Sequence, residues 1–146
     1  EMIFDVGLGD LFVIRNAGQV MAETILGSLE YAVEVLDVPL ILVLGHDECG
    51  AIRSTMNALE GSLEAEGEFI HNLVERIMPT VKRSLEAGQT TIDEISDRHV
   101  RDTIDELLDR SNVIAKAVNA GKLAVVGANY KLELGEVHLI VSHGEI

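Results

Sequence analysis

Leu40-Ile41-Leu42-Val43-Leu44-Gly45-His46-Asp47-Glu48-Cys49-Gly50 is the stretch on which the fold turns. Its five leading residues form a continuous apolar run, the pattern of a strand covered on both faces. A glycine-flanked polar turn follows, with His46 and Cys49 three residues apart. In open α/β sheets, ligands bind at the carboxyl ends of strands, and this turn lies at such an end. Imidazole and thiolate both suit zinc, and the spacing lets two side chains converge on one ion. Alone, the spacing is weak evidence, because a lone cysteine is usually a small buried apolar residue.

Working outward, residues 20 to 36 place Ile25, Leu29, Ala32, Val33 and Leu36 at helical spacing, and Asp37 and Pro39 stop that helix. Upstream, Leu11-Phe12-Val13-Ile14 follows the turn-like Gly7-Leu8-Gly9-Asp10 and reads as a buried strand ended by Asn16-Ala17-Gly18. Downstream of Gly50 a helix is expected through residue 59. Residues 67 to 87 read as an amphipathic helix that Pro79 breaks or kinks. Residues 92 to 119 carry Ile95, Val100, Ile104, Leu107, Leu108, Ile114 and Val118 in a second helical stretch, interrupted at Ser111-Asn112. Lys122 to Ala128 and Glu136 to Val141 read as strands joined by a turn at Leu134-Gly135. Strands separated by helices predict an α/β fold, a mostly parallel sheet flanked by helices. The last two strands are too close for a helical crossover, so the C-terminal edge strand is antiparallel.

The 146 residues suffice for one hydrophobic core, and no repeat or linker divides them. Aromatics are only 3%, so Val, Ile, Leu and Ala must build that core. The formal net charge is −14, from 25 acids against 11 bases. Such a surface repels phosphate backbones and argues against nucleic-acid binding. No apolar run approaches the ~20 residues that span a bilayer, so no membrane segment is expected. Cys49 is the single cysteine and cannot close an internal disulfide, which fits a reducing, cytoplasmic setting. The chain opens Glu1-Met2 and so reads as truncated, processed or preceded by residues that are not resolved.

The remaining polar residues have ordinary readings. His71, His99, His138 and His143 have no ligand spacing to Cys49 and read as surface or structural histidines. Asp93, Glu94, Asp97, Asp102, Asp105, Glu106 and Asp109 crowd one helical region and read as a solvated face, with i, i+4 pairs such as Asp97–Arg101. Gly7, Gly9, Gly18, Gly45 and Gly50 form neither a P-loop nor a dinucleotide fingerprint and read as turn glycines.

Ile41-Leu42-Val43-Leu44-Gly45-His46-Asp47-Glu48-Cys49-Gly50-Ala51 resembles the second zinc motif of β-class carbonic anhydrases. Ser28-Leu29-Glu30-Tyr31-Ala32-Val33 resembles the helix before that motif. Ile3 to Ile14 with Arg15-Asn16-Ala17-Gly18 resembles the family's strand and its ending, and Val125-Val126-Gly127-Ala128-Asn129-Tyr130 with Gly135-Glu136-Val137 resembles its closing strand pair. The resemblance covers essentially the whole chain in family order. It implies a cytoplasmic zinc lyase that converts carbon dioxide to bicarbonate through a zinc-bound hydroxide, as a homodimer or homotetramer. It implies Zn2+ ligation by His46 and Cys49. Read from the residues themselves, Gly50 is a turn glycine that also leaves room beside the metal, and Arg15 is either a contact for substrate or an anion or one half of a structural ion pair. The family's first zinc cysteine and its catalytic Asp–Arg pair belong to a Cys-x-Asp-x-Arg motif that no residue here matches, so the resemblance places them upstream of Glu1. The expected single domain over 1–146 would then lack the family's N-terminal helices and first central strand, leaving the strands at Leu11–Ile14 and Leu40–Leu44 without that partner, and by itself would be inactive or impaired. Two other functions compete: hydrolysis of carbon disulfide or carbonyl sulfide, and a non-catalytic assembly or regulatory role.

Overall fold

The computed structural model describes residues 1–145. A single 3-10 turn, Ala17–Gln19, precedes α1 (Glu23–Glu34), β1 (Leu40–His46), α2 (Gly50–Leu59), α3 (Glu68–Glu86), α4 (Ile92–Arg110), α5 (Asn112–Asn119), β2 (Ala124–Lys131) and β3 (Glu136–His143). The strands form one sheet in the order β1-β2-β3. β1 and β2 run parallel, from Leu40 opposite Ala124 to His46 opposite Tyr130. β3 returns antiparallel on the outer side of β2, with a register shift at Gly127/Ala128. This is the expected α/β arrangement with an antiparallel C-terminal edge strand.

Local chemistry explains the boundaries. Asp37 adopts a left-handed φ of 51°, and Val38 N–H closes back on the Ala32 carbonyl at 3.1 Å, which ends α1. Thr91 and Glu94 form a capping box that starts α4: Glu94 N–H donates to Thr91 Oγ1 at 3.2 Å, and Thr91 N–H donates to Glu94 Oε2 at 3.1 Å. Ser111 leaves helical geometry at ψ 101°, and its Oγ accepts from Ile114 N–H at 3.2 Å, so the long stretch becomes two helices. Pro79 does not end its helix; α3 runs through it from Glu68 to Glu86.

Two apolar clusters hold the molecule together. In the first, Val100, Ile104 and Leu107 of α4 meet Ile41 and Val43 of β1, Val125 of β2 and Ile114 of α5. In the second, Ile52 of α2, Ile77 and Val81 of α3 and Ile95 of α4 enclose Cys49. α4 thus belongs to both clusters. It crosses β2 so closely at Gly127 that an added Cβ there would lie 2.6 Å from Val100 Cγ1.

Three expectations are corrected. β1 is not equally covered on both faces: Ile41 and Val43 are buried, Leu42 and Leu44 are half-buried, and Leu40 is exposed. It lies at the sheet's edge, and the strand enclosed throughout its first six residues is β2. Leu11–Ile14 is not a buried strand. It pairs with no strand among the described residues, and Leu11, Phe12 and Val13 are exposed. Phe12 instead lies against Tyr31 of α1, ring centroids 6.5 Å apart. An apolar run becomes a strand only when a neighbouring ladder takes its backbone groups; β1 gives one edge to β2, and no described strand lies along its other edge to receive Leu11–Ile14. Finally, the acidic residues of α4 are not merely a solvated face: Asp97 accepts from Asn129 Nδ2, and Asp102 accepts from Thr80 Oγ1 at 2.6 Å and Arg83 at 2.7 Å.

Candidate metal centre

His46 is the last residue of β1 and Cys49 the residue immediately before α2, so strand end and helix start fix the two ends of the turn. His46 is exposed and Cys49 is 4% exposed. His46 Nδ1 lies 2.7 Å from the Asp47 carbonyl oxygen. A carbonyl only accepts, so Nδ1 carries the hydrogen and Nε2 keeps its lone pair. A backbone carbonyl fixing the tautomer in this way is the usual support of a metal-binding imidazole. Cys49 makes no side-chain cap to α2, so its sulfur is not committed to the helix's own N–H groups.

The turn is tied from several directions. The Asp47 carboxylate accepts the Leu132 N–H with both oxygens at 3.2 Å, and Asp47 N–H donates to the Tyr130 carbonyl at 3.1 Å. Glu48 adopts φ 50°, a left-handed conformation unusual for a residue with a side chain. Its N–H donates to Asp93 Oδ1 at 3.4 Å, and Arg53 Nη2 donates to its carboxylate at 2.8 Å. Ser96, 2% exposed on α4, donates its hydroxyl to the His46 carbonyl at 3.0 Å. Behind the turn, Gly45 has no room for a side chain: a Cβ would lie 2.9 Å from Val100 Cγ2 and closer still to Asn129 Oδ1. Asn129 is fully buried and donates to Asp97, whose carboxylate also stands 4.0 Å from Lys131 Nζ.

Gly50, in contrast, would place an added Cβ with no atom within 4 Å. Space is therefore open beside the turn. Arg15 is at the surface, 77% exposed, with Nη2 3.4 Å from Glu1 Oε2. His99 is buried and structural, its Nε2 donating to the Gly18 carbonyl at 2.6 Å. Burial pushes its pKa down, against the opposing pull of the Gly18 carbonyl, Asp102 and Glu106.

His46 and Cys49 supply the nitrogen and sulfur donors that zinc takes, and the tautomer leaves the right nitrogen free. The donor chemistry fits. Among the described residues, no three His, Cys, Asp or Glu side chains come together to hold a metal ion. Asp93, Ser96 and Asp97 were missed as contributors to the site. Their spacing of i, i+3 and i+4 puts them on one face near the start of α4, a signal that acidic composition obscured.

A family model described as carbonic anhydrase matches residues 1–137. The carbonic anhydrase of Mycolicibacterium smegmatis is 46% identical over 146 residues, all of this chain and 70% of that one. Carbonic anhydrase 2 of Mycobacterium tuberculosis is 46% identical over 140 residues, 95% of this chain and 67% of that one. Among solved structures, the β-carbonic anhydrase CcaA superposes with a TM-score of 0.80 at 24% identity, covering 99% of this chain and 76% of that one. A tetrameric β-carbonic anhydrase of Sordaria macrospora gives a TM-score of 0.83 at 21% identity, covering 98% and 75%.

Proposed function

The chain belongs to the β-class carbonic anhydrase family, whose reaction is the reversible hydration of carbon dioxide to bicarbonate, and from that premise we propose that His46 Nε2 and Cys49 Sγ are two of its zinc ligands. The observation that carries this reading is the Nδ1–H of His46 held by the Asp47 carbonyl, which presents the other ring nitrogen three residues from the only thiol. Zinc, when bound, supplies the Lewis acidity that lets water ionise near neutral pH. The chain's own part is to orient the two donors and to keep space clear at Gly50, where a small linear substrate and water can approach. Arg15 is left outside this core assignment, since its contact is with Glu1 at the surface.

Three further readings are part of the proposal. The metal is zinc rather than another divalent ion, because an imidazole and a thiolate together favour it. The protein acts in the cytoplasm, where its thiol stays reduced. It works as a homodimer or homotetramer; the relative from Sordaria macrospora is tetrameric, and this chain exposes Leu132, Leu134 and Leu139 around β3. Among the described residues no helix is long and apolar enough to cross a membrane.

The test is zinc content, measured by mass spectrometry on protein purified under reducing conditions, together with stopped-flow hydration of carbon dioxide. Cys49→Ser and His46→Ala are each expected to lose most bound zinc and at least about 100-fold in kcat/KM, on the scale of removing a directly bonded ligand. Retention of one zinc per chain by Cys49→Ser would sink the assignment.

A further inference from the structure

Resting on the assignment of His46 as a ligand, we infer that Ser96 and Asp47 are positioning residues that set the aim of the His46 imidazole, one from each side of the turn.

The orientation of the ring depends on the peptide that receives its Nδ1–H, and that peptide is the carbonyl of Asp47. Two side chains decide where that carbonyl points. Ser96 Oγ–H fixes the preceding carbonyl, His46 O, at 3.0 Å across 50 residues of sequence. That carbonyl belongs to the last residue of β1, where the ladder with β2 ends. The Asp47 carboxylate fixes the residue on its other side, accepting Leu132 N–H from the segment just beyond β2. Asp47 N–H to Tyr130 O completes the grip at 3.1 Å. The Asp47 peptide is thereby held by α4 on one flank and by the end of β2 on the other. Neither Ser96 nor Asp47 is itself placed as a metal ligand. Both act through the backbone, and outer partners of this kind commonly change metal affinity by about 10–100-fold.

Ser96 is 2% exposed on an element that belongs to both apolar clusters, so its support is rigid. The hydroxyl matters rather than the volume: a Ser96→Ala side chain still fills the site but leaves the His46 carbonyl unpaired and free to rotate. Glu48 supplies a reason for needing two braces, since its left-handed φ of 50° is a conformation the turn would otherwise relax.

The experiment measures zinc dissociation constants on the intact protein by competition with a chromophoric chelator, and the cobalt(II) absorption spectrum as a report on ligand geometry. Melting of the metal-free protein runs alongside. Ser96→Ala is expected to weaken zinc by at least about tenfold and to alter the cobalt spectrum, while Ser96→Thr, which keeps the hydroxyl, binds within about threefold of the parent. Asp47→Ala, at a half-exposed position, is expected to weaken zinc by a similar factor and decides the matter if Ser96→Ala does not fold. Zinc affinity within about twofold of the parent in Ser96→Ala or Asp47→Ala overturns the inference, as does equal loss in the Ala and Thr variants of Ser96. A parent protein that holds no zinc, or a His46→Ala variant that holds it equally well, overturns the ligand assignment instead.

Discussion

Two glycines five residues apart make opposite demands. Gly45 is buried where the end of β1 passes under α4, and a Cβ there would press on Val100 Cγ2 at 2.9 Å and on the buried Asn129. Gly45→Ala should therefore cost about 1–3 kcal/mol, the usual penalty of overpacking, read as a lowered urea midpoint at unchanged slope. Gly50 opens α2 and would place its Cβ in empty space. Gly50→Ala should leave the melting temperature unchanged or raise it slightly, because alanine is the better helix former. If the empty space is the approach to the metal, the same variant lowers kcat/KM for carbon dioxide while the protein stays folded. A Gly50→Ala enzyme with full activity would show that the space is idle.

At the scale of elements, α4 decides the architecture, and its start is chemically specified. Thr91 and Glu94 satisfy each other's backbone groups, and Glu94 also accepts from Thr90 N–H at 2.9 Å. Thr91→Ala should destabilise the fold by about 1 kcal/mol in chemical denaturation, and an unchanged midpoint would mean the first turn contributes nothing. Much of this level was readable from the sequence. The apolar run of β1, the break at Ser111 and the short link between β2 and β3 are all local signals, and each appears where the spacing put it. Leu11–Ile14 was misread because composition reports apolarity but not whether a ladder is available to pair with. The His46–Cys49 spacing is a weak signal by itself and stands out only through the resemblance of the stretch around it, whereas Ser96, Asp93 and Asn129 carry no sequence signal that ties them to the turn. Ser96 and Asp93 reach the turn only through the packing of α4 over the sheet, 50 and 45 residues away in the chain, and Asn129 reaches it by lying opposite Gly45 on β2. The i, i+4 spacing pairs Asp97 with Arg101, yet Asp97 turns inward to Asn129, because a fully buried amide needs a partner more than an exposed guanidinium does.

Across the whole molecule, two groups make stability depend on pH in the same direction. Burial holds the His99 pKa below its ordinary 6.5, so the folded state binds this proton less readily than the unfolded chain. Its stabilising contribution is complete above about pH 7, begins to be lost as pH falls past the unfolded value and is gone only once pH has fallen through the lowered folded value. Backbone hydrogen bonds from Thr91 and Thr90 hold the Glu94 carboxyl below its ordinary 4.5, so that contribution is present at neutral pH and disappears only in stronger acid, as pH falls through the lowered folded value. A third effect opposes both. With a net charge of −14 the chain repels itself at pH 7, and acidification toward its isoelectric point near 4.6 relieves that repulsion. Salt separates the effects, since ~0.5 M salt shortens the Debye length to a few ångströms and screens the surface while leaving buried His99 almost untouched. In such salt the urea midpoint should fall as pH drops from about 7.5 to about 5.5. His99→Gln, which removes the titrating ring while keeping a donor for the Gly18 carbonyl, should flatten that slope. Arg76 and Arg83 of α3 share a cleft with His99, Asp102 and Glu106, and Arg83 pairs with Asp102 at 2.7 Å. A slope that survives in His99→Gln would assign the acid sensitivity to another group and remove the buried ring from the account.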